Sequence, residues 1–82
     1  MTKDDILKRL SKYFKNSTIE VYDKTGSSNH FSLLIISNKF CDLSLIDRHK
    51  LVYKLFENEI MRDIHALQIK TYTLNEWKTN NI

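Results

Sequence analysis

Three histidines, one cysteine and a cluster of cations are the residues of this 82-residue chain whose types carry chemistry. His65 lies at the start of the stretch 64–72, whose alternation reads as a strand, and it follows closely on a long amphipathic helix pattern. That order puts its imidazole at the entry edge of the strand, where a side chain is held firmly and still reaches solvent. His30 comes directly after Thr25-Gly26-Ser27-Ser28-Asn29, the clearest turn signal in the chain. It therefore stands at the mouth of a loop of small residues, a place from which a ligand is delivered or withdrawn at modest cost. His49 falls in the middle of an apolar helix face, the setting of a hydrogen-bonded structural histidine more often than of a ligand. Cys41 is the lone cysteine, which excludes an internal disulfide and any CxxC motif. A small residue packed at a strand end is the favoured reading for it, over a thiolate ligand. Arg48, Lys50 and Lys54, with Lys39 nearby, form a modest basic surface. The plain reading is a solvated helix face, and the sharper one is a docking patch for acidic groups. On residue types alone a lone histidine is more often a surface or satisfied-core group than a metal ligand. No nucleophile, base and orienting group fall together by spacing, nor do two carboxylates in contrasting environments. The chain is expected not to be an enzyme.

The elements that must position these side chains follow from periodicity. Thr2 with Asp5 resembles a capping box, and Ile6, Leu7, Leu10, Tyr13 and Phe14 give a helix over about 3–15, with Asn16 suited to its C-terminal cap. Residues 18–24 alternate as a strand, and 30–38 form a second, more apolar strand expected at the centre of the sheet. The turn at 25–29 joins them as an antiparallel hairpin. Ser44, with Asp47 three residues on, starts the long helix. Leu45, Ile46, His49, Val52, Tyr53, Phe56 and Ile60 are expected on its buried face, while Leu51 and Leu55 add more apolar surface than one face needs. Strand 64–72 then lies parallel to the second strand, because a strand–helix–strand crossover returns in the same direction. Thr73 with Glu76 is a full capping box for a short last helix, whose Trp77 is expected to close one end of the core, before a frayed tail at 78–82. The fold class is α+β: a three-stranded mixed sheet with helices on one face, in the order α-β-β-α-β-α, over a single domain 1–82.

Composition narrows the function classes. With 41% hydrophobic and 28% charged residues, the chain reads as globular rather than disordered. A single glycine, Gly26, rules out a glycine-rich phosphate loop. No apolar run reaches the roughly 18 residues of a membrane span, and the first residues lack the features of a signal or transit peptide. An intracellular, cytoplasmic protein is expected. The net charge of +3 permits attraction to acidic partners without demanding it.

With the elements in order, the motifs resemble the BolA family over nearly the whole chain. The matching pieces are His30-Phe31 closing the hairpin loop, then Ser37-Asn38-Lys39-Phe40. Next is Arg48-His49-Lys50-Leu51-Val52-Tyr53, which is similar to the family's RHRxVY. Ile64-His65-Ala66-Leu67-Gln68-Ile69-Lys70-Thr71 and Glu76-Trp77 complete the match. The resemblance implies a fold related to the class II KH domain and work with a monothiol glutaredoxin in iron–sulfur cluster handling and iron homeostasis. It assigns the cluster ligand to His65. It also points to His30, at a loop position that is histidine in one subgroup of the family and cysteine in another. One histidine cannot hold a [2Fe–2S] cluster, which takes four ligands. The others would come from the glutaredoxin cysteine, a glutathione thiolate and one further group, so a shared cluster is itself a reason to form a heterodimer. The sequence departs from the family where Phe40-Cys41-Asp42 replaces the usual Phe-Glu-Gly. It also lacks, between residues 39 and 48, the GxxG loop by which KH domains grip nucleic acid.

Two other readings stand beside this one. A KH-like transcriptional regulator would bind DNA through Lys50 and Lys54, with a strong salt dependence. A plain scaffold would dock the glutaredoxin without a cluster. A weak homodimer of the chain alone is compatible with each.

Overall fold

The structure is a computed structural model and describes residues 1–60, 62–64 and 66–80. Its elements are α1 (Lys3–Tyr13), β1 (Thr18–Asp23), β2 (His30–Ile36), a 3-10 turn (Asn38–Phe40), α2 (Leu45–Leu55), β3 (Ala66–Tyr72) and α3 (Leu74–Asn80). The sheet order is β1-β2-β3. β1 runs antiparallel to β2, with Val21 opposite Leu33, and β3 runs parallel to β2, with Ile69 opposite Leu33. The expected order, strand directions and central place of β2 all hold.

Helix starts obey local chemistry. Thr2 Oγ1 accepts from the Asp5 amide at 3.2 Å while the Asp5 carboxylate accepts from the Thr2 amide at 2.9 Å. Those two bonds satisfy donors that the first turn otherwise leaves unpaired. Ser44 Oγ accepts from the Asp47 amide at 3.1 Å, and Thr73 and Glu76 exchange bonds of 2.8 and 3.1 Å at the start of α3. Asn16, just beyond α1, takes the left-handed conformation with φ 58°.

The core lies between one face of the sheet and the first two helices. Ile6 and Leu10 of α1, Val52 of α2, and Phe14 and Phe56 just past the ends of these helices close over Phe31, Leu33 and Ile35 of β2. All four phenylalanines of the chain are at most 1% exposed. Phe14 and Phe40 touch, with ring centroids 5.2 Å apart.

Several expected boundaries move, each for a physical reason. β2 stops at Ile36 because Ser37 Oγ accepts from the Lys39 amide and starts the 3-10 turn. The connector after it turns through Asp42 at φ 66°, so this aspartate supplies the left-handed residue for which glycine is better suited. α2 ends at Leu55 rather than running through Ile60. Arg9 Nη1, reaching over from α1, donates to the Leu55 carbonyl at 3.0 Å. A continuing helix would have given that carbonyl to the Glu59 amide, which instead donates to Phe56 at 2.9 Å. The chain then winds through turns to Ile64, which bridges to Ile60, and β3 begins at Ala66. α3 continues to Asn80, past the expected start of the tail. Trp77 does not join the core cluster. It packs on Tyr72, centroids 5.3 Å apart.

The buried stripe of α2 also differs from the expected one. Arg48 and Val52 face inward, as does Phe56 just beyond the helix end, with Leu51 and Leu55 packed against the core. Leu45, Ile46 and Tyr53 are 60%, 68% and 40% exposed. The excess apolar surface of this helix is real, but it sits on the outer stripe.

Candidate functional site

His65 lies outside the described residues. The residue after it, Ala66, opens β3 and pairs in register with His30, the first residue of β2. The Ala66 amide donates to the Asn29 carbonyl at 3.2 Å, and His30 holds the other side of the hairpin through its own carbonyl, which accepts from Lys24 at 2.9 Å. His30 is thus a strand residue, half-buried, with Nδ1 2.7 Å from Asn29 Oδ1. The loop before it is tied down. The Asp23 carboxylate accepts from the Gly26 amide at 3.1 Å and from the Ser28 amide at 3.0 Å, while Ser27 Oγ donates to Asn29 Oδ1 at 2.7 Å. Gly26 and Ser28 take left-handed φ values of 73° and 59° to make these bonds.

The basic residues separate. Arg48 is 8% exposed and is not a surface docking group. Its guanidinium grips Glu76 with two bonds of 2.7 and 3.0 Å, donates from Nε to the Leu43 carbonyl at 3.0 Å, and lies 5.8 Å from the Phe40 ring centroid. That bidentate pair holds α3 to α2. The Arg48 bonds, with the Thr73 amide next in weight, pull the Glu76 carboxyl down to about 2. Lys39 leaves the group as well, sitting 4.6 Å over the Tyr13 ring on the α1 side. Lys50 and Lys54 stay exposed on α2. With Tyr53, Glu57 and Ile60 they line a shallow depression of about 600 Å³.

Cys41 is exposed at the end of the 3-10 turn rather than packed at a strand end. His49 does not find the hydrogen bond expected of a structural histidine. Its Nε2 is buried with no partner among the described residues, and Thr71 Oγ1 shares that condition. Both side chains line one groove of about 310 Å³ beside Leu45 and the β3 backbone. Apolar periodicity does not point to this groove, because it assigns Leu45 to the buried face and names Leu51 and Leu55, which pack on the core, as the surplus. The groove's polar lining is equally hidden from spacing, since it depends on how α2 sits over β3.

As a donor set, the described residues offer one imidazole, His30, beside the start of β3. No three His, Cys, Asp or Glu side chains come together among them. No helix among the described residues is long and apolar enough to cross a membrane.

Comparison with known proteins gives a consistent picture. The family model described as "BolA-like protein" matches residues 10–76. A Vibrio cholerae protein named DNA-binding transcriptional regulator BolA is 35% identical over 88 aligned positions, covering 99% of this chain and 83% of that protein. A Bol-like protein from Babesia bovis superposes with a TM-score of 0.87 at 30% identity, covering all of this chain and 95% of the other. The BolA domain of SufE1 from Arabidopsis thaliana superposes with a TM-score of 0.81 at 32% identity, covering 90% and 93% of the two chains.

Proposed function

Because the chain belongs to the BolA-like family, we propose that it is a non-enzymatic, cytoplasmic partner of a monothiol glutaredoxin, sharing a bridging [2Fe–2S] cluster in iron–sulfur cluster trafficking or iron homeostasis. The observation that carries this reading is the pairing of His30 with Ala66, the residue that follows His65 in the sequence. His65 would hold the cluster and His30 would assist. A tied loop and a strand ladder fix the backbone on which His30 stands, so its imidazole is held ready rather than recruited. The donor set fits a shared centre and not one held by this chain alone, because a two-iron cluster takes four ligands. When bound, the cluster supplies a redox-active iron site whose potential and pH response are set partly by imidazole ligation. Lys50 and Lys54 are the exposed cations left to meet acidic groups of the partner or of glutathione.

The test is the visible absorption and circular-dichroism spectrum of the chain mixed with a cluster-loaded monothiol glutaredoxin. The mixed complex should show a spectrum distinct from that of the glutaredoxin alone. His65→Ala should abolish the difference, and His30→Ala should shorten the lifetime of the complex. An unchanged spectrum and lifetime in His65→Ala would remove the ligand assignment.

A second reading is favoured by the name of the Vibrio cholerae relative, a DNA-binding regulator, and by the exposed Lys50 and Lys54. It requires duplex DNA binding that falls steeply with salt and with charge reversal at both lysines, and that is indifferent to His65→Ala. No retention of DNA at low salt would end it.

A further inference from the structure

The groove between α2 and β3 has no part in the reading above. Its floor is the free edge of the sheet, since among the described residues β3 pairs only with β2. The Ala66 amide donates to Asn29, and the Tyr72 carbonyl accepts from the Ser37 amide at 2.9 Å. In a parallel ladder that parity turns the backbone groups of Ala66, Gln68, Lys70 and Tyr72 toward β2 and those of Leu67, Ile69 and Thr71 outward. Among the described residues one of these outward groups meets a donor: the Leu67 carbonyl accepts from the Tyr53 hydroxyl at 3.0 Å. The wall of the groove is the outer stripe of α2, with Leu45 at its mouth and His49 deeper in. Leu45, Thr71 and Tyr72 also border an adjoining hollow of about 330 Å³ that reaches Glu76, so the groove continues along the strand.

Two polar side-chain atoms inside this groove are unsatisfied. Thr71 is 5% exposed, and neither its hydroxyl nor His49 Nε2 has a partner among the described residues. Buried polar atoms in native proteins are nearly always paired, so two of them beside an open strand edge mark a place that something else completes.

We propose that this groove takes an extended acidic peptide segment of a partner protein, added to β3 as a fourth strand. Main-chain bonds to Ile69 and Thr71 would supply the ladder, and alternate side chains would supply the specificity. The alternation assigns each set. Side chains on the Ile69 and Thr71 face meet Leu45, His49 and the Thr71 hydroxyl, so they are apolar or carry a small polar group. Those on the other face of the sheet, away from α2, meet the exposed Lys70, so they are acidic. A second copy of the chain fits less well, because it would bring a second Lys70 to the seam, and like charges there are destabilising. The proposal needs neither a metal nor His65, so it stands or falls apart from the cluster reading.

The experiment uses the full, metal-free, isotope-labelled chain and follows its backbone amides by nuclear magnetic resonance. The probe is a short capped peptide alternating valine and glutamate. It should shift the amides of Leu67, Ile69 and Thr71 and slow their hydrogen exchange, leaving β1 unchanged. Replacing glutamate by lysine, or the central valine by proline, should weaken binding at least roughly fivefold, since proline removes a ladder donor. Leu45→Ser, an exposed position, should weaken it likewise while leaving the free spectrum folded. Equal binding of the proline peptide, or unmoved amides at Ile69 and Thr71, would overturn the proposal. So would protection of those amides by self-association without peptide, or displacement of the peptide by a single-stranded oligonucleotide.

Discussion

Glu76 shows how one side chain ties two elements and makes their union sensitive to acid. Its carboxylate closes the capping box of α3 through the Thr73 amide and receives both Nη groups of Arg48. The Arg48 bonds chiefly, then the Thr73 amide, hold its carboxyl at about 2. The folded value lies below the unfolded one. The contribution is therefore fully present above the ordinary glutamate range and is lost as pH falls from that range toward 2. Denaturant midpoints of the native chain and of Glu76→Gln should differ at neutral pH and converge in acid, with the variant showing the shallower acid limb. A difference that stays constant with pH would mean that the ionisation of Glu76, and so its charge on Arg48, contributes nothing to stability. The Thr73–Glu76 half of this arrangement was legible from spacing, because a capping box is a local pattern. The Arg48 half was not. Its partner lies 28 residues away, and sequence alone left Arg48 among the solvated cations of its helix.

At the scale of elements the same division between local and distant causes recurs. Helix starts could be read because serine and threonine caps act on amides three residues on. The end of α2 could not, because the group that stops it comes from α1. Arg9 donates to the Leu55 carbonyl, is paired with the Glu59 carboxylate, and rests 5.2 Å from the Phe56 ring centroid. Its side chain is 40% exposed, so the ion pair with Glu59 is largely screened and the bond to the carbonyl carries more of the effect. Arg9→Met keeps the stem over Phe56 and removes the donor. It should lower the unfolding free energy by about 1 kcal/mol, measured by urea titration. Added salt should change that difference little. A difference that vanishes at high salt would place the whole effect in the ion pair instead. The displaced expectation for the α2 face has a related origin. Apolar spacing located the helix correctly but assigned Leu45, Ile46 and Tyr53 inward and treated Arg48 as outward. A buried, fully bonded arginine has the periodicity of the core without its hydropathy.

For the molecule as a whole, the sheet is covered on one face by α1 and α2, and its strands differ in how their backbones are satisfied. Among the described residues, β2 is bonded on both sides, whereas β1 and β3 each have a free edge. Sequence made this order legible, because the apolar run of β2 marks a central strand and a helical crossover makes β3 parallel to it. It could not show that the free edge of β3 lies under an exposed apolar stripe, since that depends on the path of the chain after Leu55. Hydrogen exchange of the dilute free chain reads both features at once. Amides of β2 should exchange slowest, near the rate set by global unfolding. Along β3 the rates should alternate, with Gln68 and Lys70 protected by their bonds to β2 and Ile69 and Thr71 exchanging faster although they belong to the same strand. Burial alone would give a different pattern, because Thr71 is buried and Lys70 is exposed. The alternation therefore tests ladder parity rather than depth. If Ile69 and Thr71 prove as protected as their neighbours at low concentration, the outer edge is already bonded within the single chain, and the groove beside it holds no vacant ladder for a partner.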